Sequence, residues 1–237
     1  MPFLLLEEEQ NPAYFPGPAF LFANFLFFWQ NVLKMKKVQL FLKRILDIFG
    51  SLIGIIFLFL PLFLPIALAI KLNSKGPVII KLERISQGKK IFIHKFRTMY
   101  QDAAELKPIF ASLNERNGPF FKIKHDPRIT KVGVFLRKYH LDEIPQFFDV
   151  FLGKISLVGP RAHEPQEIFF YPKEYLFIAK SKAGLTGLSQ ISGGCNLSFL
   201  KELEIDKKYL QNWSLLLDLK ILFKTFFLFL LGKLNGK

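Results

Sequence analysis

Apolar positions are concentrated unevenly along this chain. Ile48 to Ile70 is a run of twenty-three residues without a charge, long enough to cross a bilayer as a straight helix. Lys36, Lys37, Lys43 and Arg44 precede the run, and Lys71 and Lys75 follow it. Pro61 and Pro65 fall inside it, where each removes a helix hydrogen bond and bends the axis. A spanning helix normally keeps its Lys and Arg excess on the cytoplasmic side only. Basic residues at both ends and prolines in the middle therefore predict a helix–break–helix that enters one leaflet and returns, each arm too short to cross. A proline-kinked span is the rival reading. A buried core helix is the bland one, and twenty-three uncharged residues are long for it. Asp47, at the mouth of the run, is costly alone and is expected to pair with Lys43 or Arg44.

The flanking segments have other patterns. In residues 1–35, Glu7, Glu8 and Glu9 stand where a secretory signal carries Lys or Arg, so no signal peptide is expected. Ala19 to Leu33 is a fifteen-residue apolar run interrupted by Asn24, Gln30 and Asn31. It is short for a span and suited to the interface, with Trp29 at headgroup depth. The competing reading is a dispensable extension, since a start at Met35 reads MKKVQLFLKR. After the turn signal Asn73-Ser74-Lys75-Gly76-Pro77 the chain becomes globular. Val78–Leu82 and Lys90–His94 read as strands around Gln87-Gly88. Gln101–Leu106, Ser198–Tyr209 and Leu215–Leu231 read as helices, and Phe169–Lys180 is ambiguous between helix and loop. The last helix is apolar on nearly every face, with Asp218, Lys220 and Lys224 its only charges, and is expected to contact membrane. The organisation is thus an extension (1–35), a membrane-associated re-entrant helix (36–75) and a small α/β (α+β) domain (76–237).

Composition sharpens this picture. The chain of 237 residues is 51% hydrophobic with 29 Phe, yet carries a formal net charge of +14. A greasy, basic chain suits an anionic membrane surface or an anionic substrate. A basic nucleic-acid domain rarely carries apolar runs this long, so no nucleic acid is expected. The single Cys195 excludes an internal disulfide and a CxxC metal site.

The candidate chemistry lies between Asp126 and Arg161. Adjacent carboxylates Asp142 and Glu143 are followed by Pro145, with Arg128, Lys131, Arg137 and Lys138 upstream and Lys154 and Arg161 downstream. Pro145 disfavours helical geometry at Ile144, so the acids are expected at or just before a helix that begins near Pro145. Helix N-terminal N–H groups bind anions and keep a carboxylate ionised. Two acids within basic residues are what phosphate chemistry needs: cations hold the substrate while one carboxylate attacks or holds a metal. The competing reading is that Asp142 caps the helix. His94, His125, His140 and His163 have no metal-ligand spacing and are treated as structural or incidental. No Walker A or GxGxxG loop is present.

Taken together, these segments resemble a family. KRILD (43–47) before a proline-broken apolar run, KFRTM (95–99), DPRITKVG (126–133), LRKYHLDEIPQ (136–146), ISLVGPR (155–161), GLTG (184–187) and the Asp206…Tyr209 pair look like the bacterial sugar transferases, the monotopic polyprenyl-phosphate phosphoglycosyl transferases, in their compact form. The resemblance covers about residues 36–231. It implies a small cytoplasmic α/β catalytic domain on a re-entrant helix at the bacterial inner membrane, among phospholipid. It further implies transfer of a sugar-1-phosphate from a UDP-sugar to undecaprenyl phosphate with release of UMP. By resemblance Asp142 attacks the β-phosphorus and forms a covalent intermediate, and Glu143 helps bind Mg²⁺. Arg137 and Arg161 are the implied phosphate ligands. Lys95, Arg97, Asp126 and Arg128 match with less definite roles, Asp126 supporting either metal or arginine. Homo-oligomerisation is left open.

The chain departs from the family pattern at several places. Leu82 and Ser86 replace the Gln and Gly of Q-x-R-x-G, although Arg84 remains. Ala162 ends VGPR where Pro is usual, Ala183 replaces the Pro of PGITG, Gly194 replaces the Arg of Q-x-x-G-R, and Leu60 replaces a Ser before Pro61. None touches Asp142 or Glu143. Two alternatives from other classes are a catalytically silent membrane-bound scaffold and a membrane-associated phosphohydrolase, in which water replaces the lipid as acceptor.

Overall fold

The computed structural model describes residues 37–115 and 118–232. The acidic front and the Ala19–Leu33 run lie outside the described residues. The chain divides into two units after Phe41, and the first contributes only the opening residues of helix α1 to the described part.

Helix α1 runs Lys37–Asn73 and is long and apolar enough to cross a membrane. The expected interruption is not a break. The hydrogen-bonded helix continues through Pro61 and Pro65, and a π-helical stretch, Ile55–Phe59, precedes the first proline. There the Leu60 N–H donates to the Ile55 carbonyl. One wider turn absorbs the misfit that proline introduces, so the ladder shifts register instead of ending.

The two faces of α1 are chemically inverted relative to a helix bathed in water. Asp47 and Ser51 are buried, as is Gly54, while Phe57, Leu60, Leu64 and Leu72 are exposed. Small residues let the inner face approach closely. A Cβ on Gly50 would fall 2.5 Å from Leu157, and one on Gly54 would fall 2.6 Å from the Phe147 ring. Further along, Ile66 and Ile70 pack with Phe96, Leu136 and Ile144. Phe59 stacks on Phe96 with centroids 6.0 Å apart and meets Phe148 edge-on.

Asp47 does not pair with its neighbours, as the sequence suggested. It accepts from the Ser156 hydroxyl at 2.8 Å and from the Leu157 N–H at 2.8 Å. Lys43 reaches the Val158 carbonyl (2.9 Å) and Asp218 (2.5 Å), while Arg44 donates to the carbonyls of Val150 and Phe151. Tertiary donors replace the i−3 and i−4 cations at Asp47 because a buried carboxylate needs several donors at once, and the two cations turn to acceptors of their own.

The hairpin β1 (Ile79–Ser86) and β2 (Lys89–Phe96) is antiparallel and in register from Ile79↔Phe96 to Ser86↔Lys89. Gln87 and Gly88 both have positive φ, as the two-residue turn that matches strand twist requires. Ser86, one of the departures from the family pattern, is a tie. Its hydroxyl donates to the Lys154 carbonyl (2.9 Å) and accepts from the Ala183 N–H (3.2 Å). Gln101–Ala103 is a 3₁₀ turn, not the expected six-residue helix.

Helix α2 (Lys131–Lys138) is N-capped by Thr130, whose hydroxyl accepts from Gly133 N–H at 2.9 Å. Helix α3 (Gln146–Phe151) and strand β3 (Ser156–Val158) follow, then the short helices α4 (Pro165–Ile168) and α5 (Leu176–Ala179). The ambiguous segment therefore resolves into a 3₁₀ turn, Lys173–Tyr175, leading into α5. Strand β4 (Gly184–Thr186) pairs parallel with β3, Ser156↔Gly184 and Val158↔Thr186. Helices α6 (Leu188–Ile191), α7 (Phe199–Gln211) and α8 (Leu215–Leu230) complete the described elements. Ser198 and Ser214 cap the last two.

Helix α8 repeats the inversion of α1. It buries Asp218 and Ile221 and exposes Leu216, Phe223, Phe226 and Leu230. Asp218 accepts from Tyr209 (2.7 Å), Trp213 (3.1 Å) and Lys43, which ties α8 to α1.

Candidate active site

The acid pair is presented by a reversal of the chain. After α2, His140 adopts a left-handed conformation (φ 53°), the common way to end a helix and turn the backbone in a new direction. Leu141–Glu143 then forms a 3₁₀ turn that runs directly into α3. Ile144 is helical (φ −51°, ψ −39°), so the expected pre-proline break does not occur. Pro145 takes the N-cap position of α3, where its missing N–H costs little. Asp142 is 2% exposed.

Strand β2 delivers the counter-charge. Lys95 Nζ stands 2.6 Å from Glu143 Oε1 and 3.7 Å from Asp142 Oδ2, so one ammonium bridges both carboxylates. The strand is held against α3 by Asp149, which accepts from the His94 backbone N–H (2.7 Å) and contacts His94 Nδ1 (2.8 Å) and Lys154 (3.0 Å). Arg137 donates from Nε to the Thr98 hydroxyl at 2.9 Å. Burial lowers the Arg137 pKa, and the nearby Asp142 and Asp126 charges oppose that shift; an arginine so placed stays cationic.

A cavity of about 410 Å³ opens beside the pair. Lys95, His140 and Glu143 line it, together with Arg84, Arg161, Gln190, Cys195 and Glu202. Arg161 is placed by backbone packing that admits no side chain. A Cβ on Gly184 would fall 2.1 Å from Gly159 N, so the VGPR turn rests directly on β4. The Arg161 guanidinium lies 3.8 Å from Glu202 and 5.5 Å from the Phe120 ring centroid. Burial works against its charge, but Glu202, with Cys195, Glu167 and Glu143 behind it, outweighs burial and raises its pKa. Glu202 in turn meets His163 Nε2 at 3.0 Å, and the Tyr171 hydroxyl contacts His163 Nδ1.

The residues singled out in the sequence therefore fall into two groups. Lys95, Glu143 and Arg161 line the cavity, while Asp142 and Arg137 lie next to this group outside the lining itself. Arg97 and Arg128 serve the scaffold. Arg97 donates to the Pro77 carbonyl (2.7 Å) and to the Ser74 carbonyl (2.9 Å) and hydroxyl (2.6 Å), fastening the end of α1. Arg128 grips Asp126 through two nitrogens (2.9 and 2.6 Å) and donates to the Ala103 carbonyl. Burial alone would raise the Asp126 carboxyl, but the hydrogen bonds and charge of Arg128 hold it below 3.8. Asp126 thus positions an arginine. Arg84, His140, Gln190 and Glu202 were not among the sequence candidates, although Arg84 and Gln190 sit in motif positions that could have flagged them.

Comparison with known proteins agrees with this architecture. Residues 38–232 match the family described as bacterial sugar transferase, and the chain belongs to that family. It is 39% identical to the exopolysaccharide production protein ExoY of Rhizobium meliloti (strain 1021) over 188 residues, 77% of this chain and 83% of that protein. It is 40% identical to the UDP-glucose:undecaprenyl-phosphate glucose-1-phosphate transferase of Klebsiella pneumoniae, covering 80% of this chain and 40% of the relative. It is also 37% identical to the galactosyl transferase CpsE of Streptococcus agalactiae serotype III (strain NEM316), covering 83% of this chain and 44% of the relative. The chain thus spans less than half the length of these last two relatives.

Proposed function

We propose that the protein transfers a sugar-1-phosphate from a UDP-sugar to undecaprenyl phosphate, releasing UMP, as the initiating step of bacterial surface polysaccharide synthesis. The observation that carries this reading is the carboxylate pair bridged by Lys95, beside Arg137 and a cavity bordered by Arg84 and Arg161. Relatives named for transfer of glucose-1-phosphate to undecaprenyl phosphate and for exopolysaccharide production support it.

In this reading the Asp142 carboxylate attacks the β-phosphorus of the donor, and the bond from that phosphorus to the bridging oxygen breaks. UMP departs with the bridging oxygen, leaving the sugar phosphate on Asp142. A phosphate oxygen of the acceptor then attacks the same phosphorus and restores the carboxylate. Arg84, Arg137 and Arg161 balance the charge of the diphosphate. Lys95, within 2.6 Å of Glu143 and 3.7 Å of Asp142, offsets the repulsion between two acids that lie side by side.

Mg²⁺ is compatible with the residues present. Glu143 lines the cavity and offers carboxylate oxygens, and among the described residues no group of three or more ligating side chains surrounds it. An ion held by Glu143 would be completed by phosphate oxygens and water, the usual manner for Mg²⁺, and would supply neutralisation of phosphate charge.

The contacts of α1 support one membrane disposition. Its two ends contact the same domain: Lys43 and Arg44 bind carbonyls of β3 and α3, while Asn73 accepts from Val132 N–H and Ser74 from Arg97. A straight span would carry one end to the far side of the bilayer, away from that domain. This supports a helix that enters and leaves the cytoplasmic face of the inner membrane, with α8 lying at the surface.

The purified protein, given undecaprenyl phosphate, Mg²⁺ and a panel of UDP-sugars, should release UMP, and Asp142→Asn should abolish release while retaining the fold. Near-wild-type release by Asp142→Asn, or a phosphosugar adduct mapped to another residue, would remove Asp142 as nucleophile. Cysteines at positions 42 and 75, in a Cys195→Ser background, should react with an impermeant maleimide from the same side. Labelling from opposite sides would restore the spanning model.

A further inference from the structure

The cavity beside Glu143 has two kinds of wall. Arg84, Lys95, Glu143 and Arg161 make one, from the hairpin, the acid turn and the residue turn after β3. The other is apolar and comes from different elements: Leu58 in the π segment, Phe147 of α3, Leu185 of β4, and Leu222, Phe226 and Phe229 of α8. Phe226 and Phe229 line the cavity, yet they are 57% and 38% exposed. The cavity wall and the apolar outer face of α8 therefore share side chains, and the cavity is continuous with that face. Thr225, also in the lining, fixes this turn of α8. Its hydroxyl meets Thr186 at 2.8 Å and the Ile221 carbonyl at 2.8 Å. Leu58 lies within the one wider turn of α1, a local geometry that recurs at functional sites.

A nucleotide sugar is polar throughout and leaves an apolar wall without a partner. A phosphate monoester on a branched hydrocarbon fits both walls, its head on the cations and its tail against leucine and phenylalanine. We propose that the first isoprene units of a polyprenyl phosphate seat against Leu58, Leu222, Phe226 and Phe229, reaching the site from the lipid over α8, with the phosphate at Lys95 and Arg161. The chemical identity of this occupant rests on the transferase reading.

The test uses the full-length protein and a geranyl phosphate whose tail ends in a benzophenone ether. Irradiation should place adducts on Leu222–Phe229 and around Leu58, and excess undecaprenyl phosphate should suppress them. Leu222→Trp, which fills the cavity, and Phe226→Ala, which trims an exposed side chain, should each raise the undecaprenyl phosphate needed for half-protection at least tenfold. Phe226→Ala should keep the thermal midpoint of the wild type, which separates lost seating from lost folding. Adducts that fall elsewhere, or protection unchanged in both variants, would overturn the proposal. Failure of the parent reading gives a different pattern: no UMP release from any UDP-sugar, with adducts still on α8. Normal UMP release with adducts elsewhere would defeat this inference alone.

Discussion

Asp206 on α7 is buried at 1% exposure, and neither its carboxylate oxygens nor the nearby Ser189 hydroxyl has a hydrogen-bond partner of good geometry. Burial pushes its pKa from 3.8 up to about 7; Ser189 and the His163 charge pull back, and Glu202 adds to the rise. The sign follows from linkage. Between these two values the folded state holds a proton that the unfolded state has lost, so stability is fully present below 3.8 and falls as pH rises towards 7. From pH 5 to pH 8 the loss is on the order of 3 kcal/mol, at about 1.36 kcal/mol per pH unit up to the folded value. Asp206→Asn removes the titration and keeps the shape. Its amide introduces its own unmet hydrogen bonds, about 1–3 kcal/mol, but that cost is the same at both pH values and cancels in the comparison. Thermal unfolding in one detergent at pH 5 and pH 8 should show the wild type losing roughly 6–12 °C more than the variant, at about 2–4 °C per kcal/mol for a domain of this size. Parallel behaviour of the two proteins would show that Asp206 is ionised in the fold at both pH values, and the reasoning from burial would fail.

Other substitutions test separate parts of the architecture. Asp47→Ala strands the Ser156 hydroxyl and the Leu157 N–H inside the protein and should cost about 2–4 kcal/mol, read as a lower thermal midpoint; an unchanged midpoint would show that α1 is not held there. Gly184→Ala places a methyl 2.1 Å from Gly159 N and 2.5 Å from the Thr186 carbonyl. Since backbone cannot swing aside, it should cost at least about 2 kcal/mol and depress UMP release through misplacement of Arg161. Arg97→Lys and Arg161→Lys should diverge. The first loses the fork that fastens α1 and lowers the thermal midpoint, whereas the second raises KM for the UDP-sugar with little change in midpoint. The reverse pattern would exchange their assigned roles.

Elements whose instructions are local were legible in the sequence. Gln87-Gly88 between apolar alternation announced the hairpin, and Ser198 and Ser214 stood where α7 and α8 begin. Dense motifs named the acids and the arginines 137 and 161, and the structure places Lys95 between the acids, Arg137 near Asp142 and Arg161 on the same cavity as Glu143. Residues whose meaning depends on a distant partner were misread. Asp47 had cations three and four positions away, yet its donors come from β3, more than a hundred residues on. Arg97 and Arg128 had the charge of phosphate ligands, but their forks are spent on carbonyls and on Asp126. Even the local rule before proline failed at Ile144, where helical backbone persists because the 3₁₀ turn must run into α3 without a gap. Glu202 became visible only when the cavity collected it, whereas Arg84 stood in a motif whose role the sequence left unassigned.

The inverted polarity of α1 and α8 explains why these distant pairings exist. In water, a carboxylate such as Asp47 or Asp218 would lose little by facing solvent and would gain little from burial. Where the outer medium is lipid, the alternative to a protein partner is hydrocarbon, and a charge there grows more costly towards the bilayer centre. Asp47 and Asp218 therefore turn inward and take specific partners, while Phe57, Leu64, Phe223 and Phe226 turn outward at no penalty. The exposed charges of Lys71, Lys220 and Lys224 sit on long side chains, which can reach towards water. Apolar contacts alone would let a helix slide or rotate against the domain, because one leucine suits a lipid or a protein groove about equally well. Lys43 on Asp218, Arg44 on two carbonyls and Asp47 on β3 permit only one register. That register sets Leu58 at the cavity, so the polar pins near the start of α1 determine what the apolar middle presents to the active site.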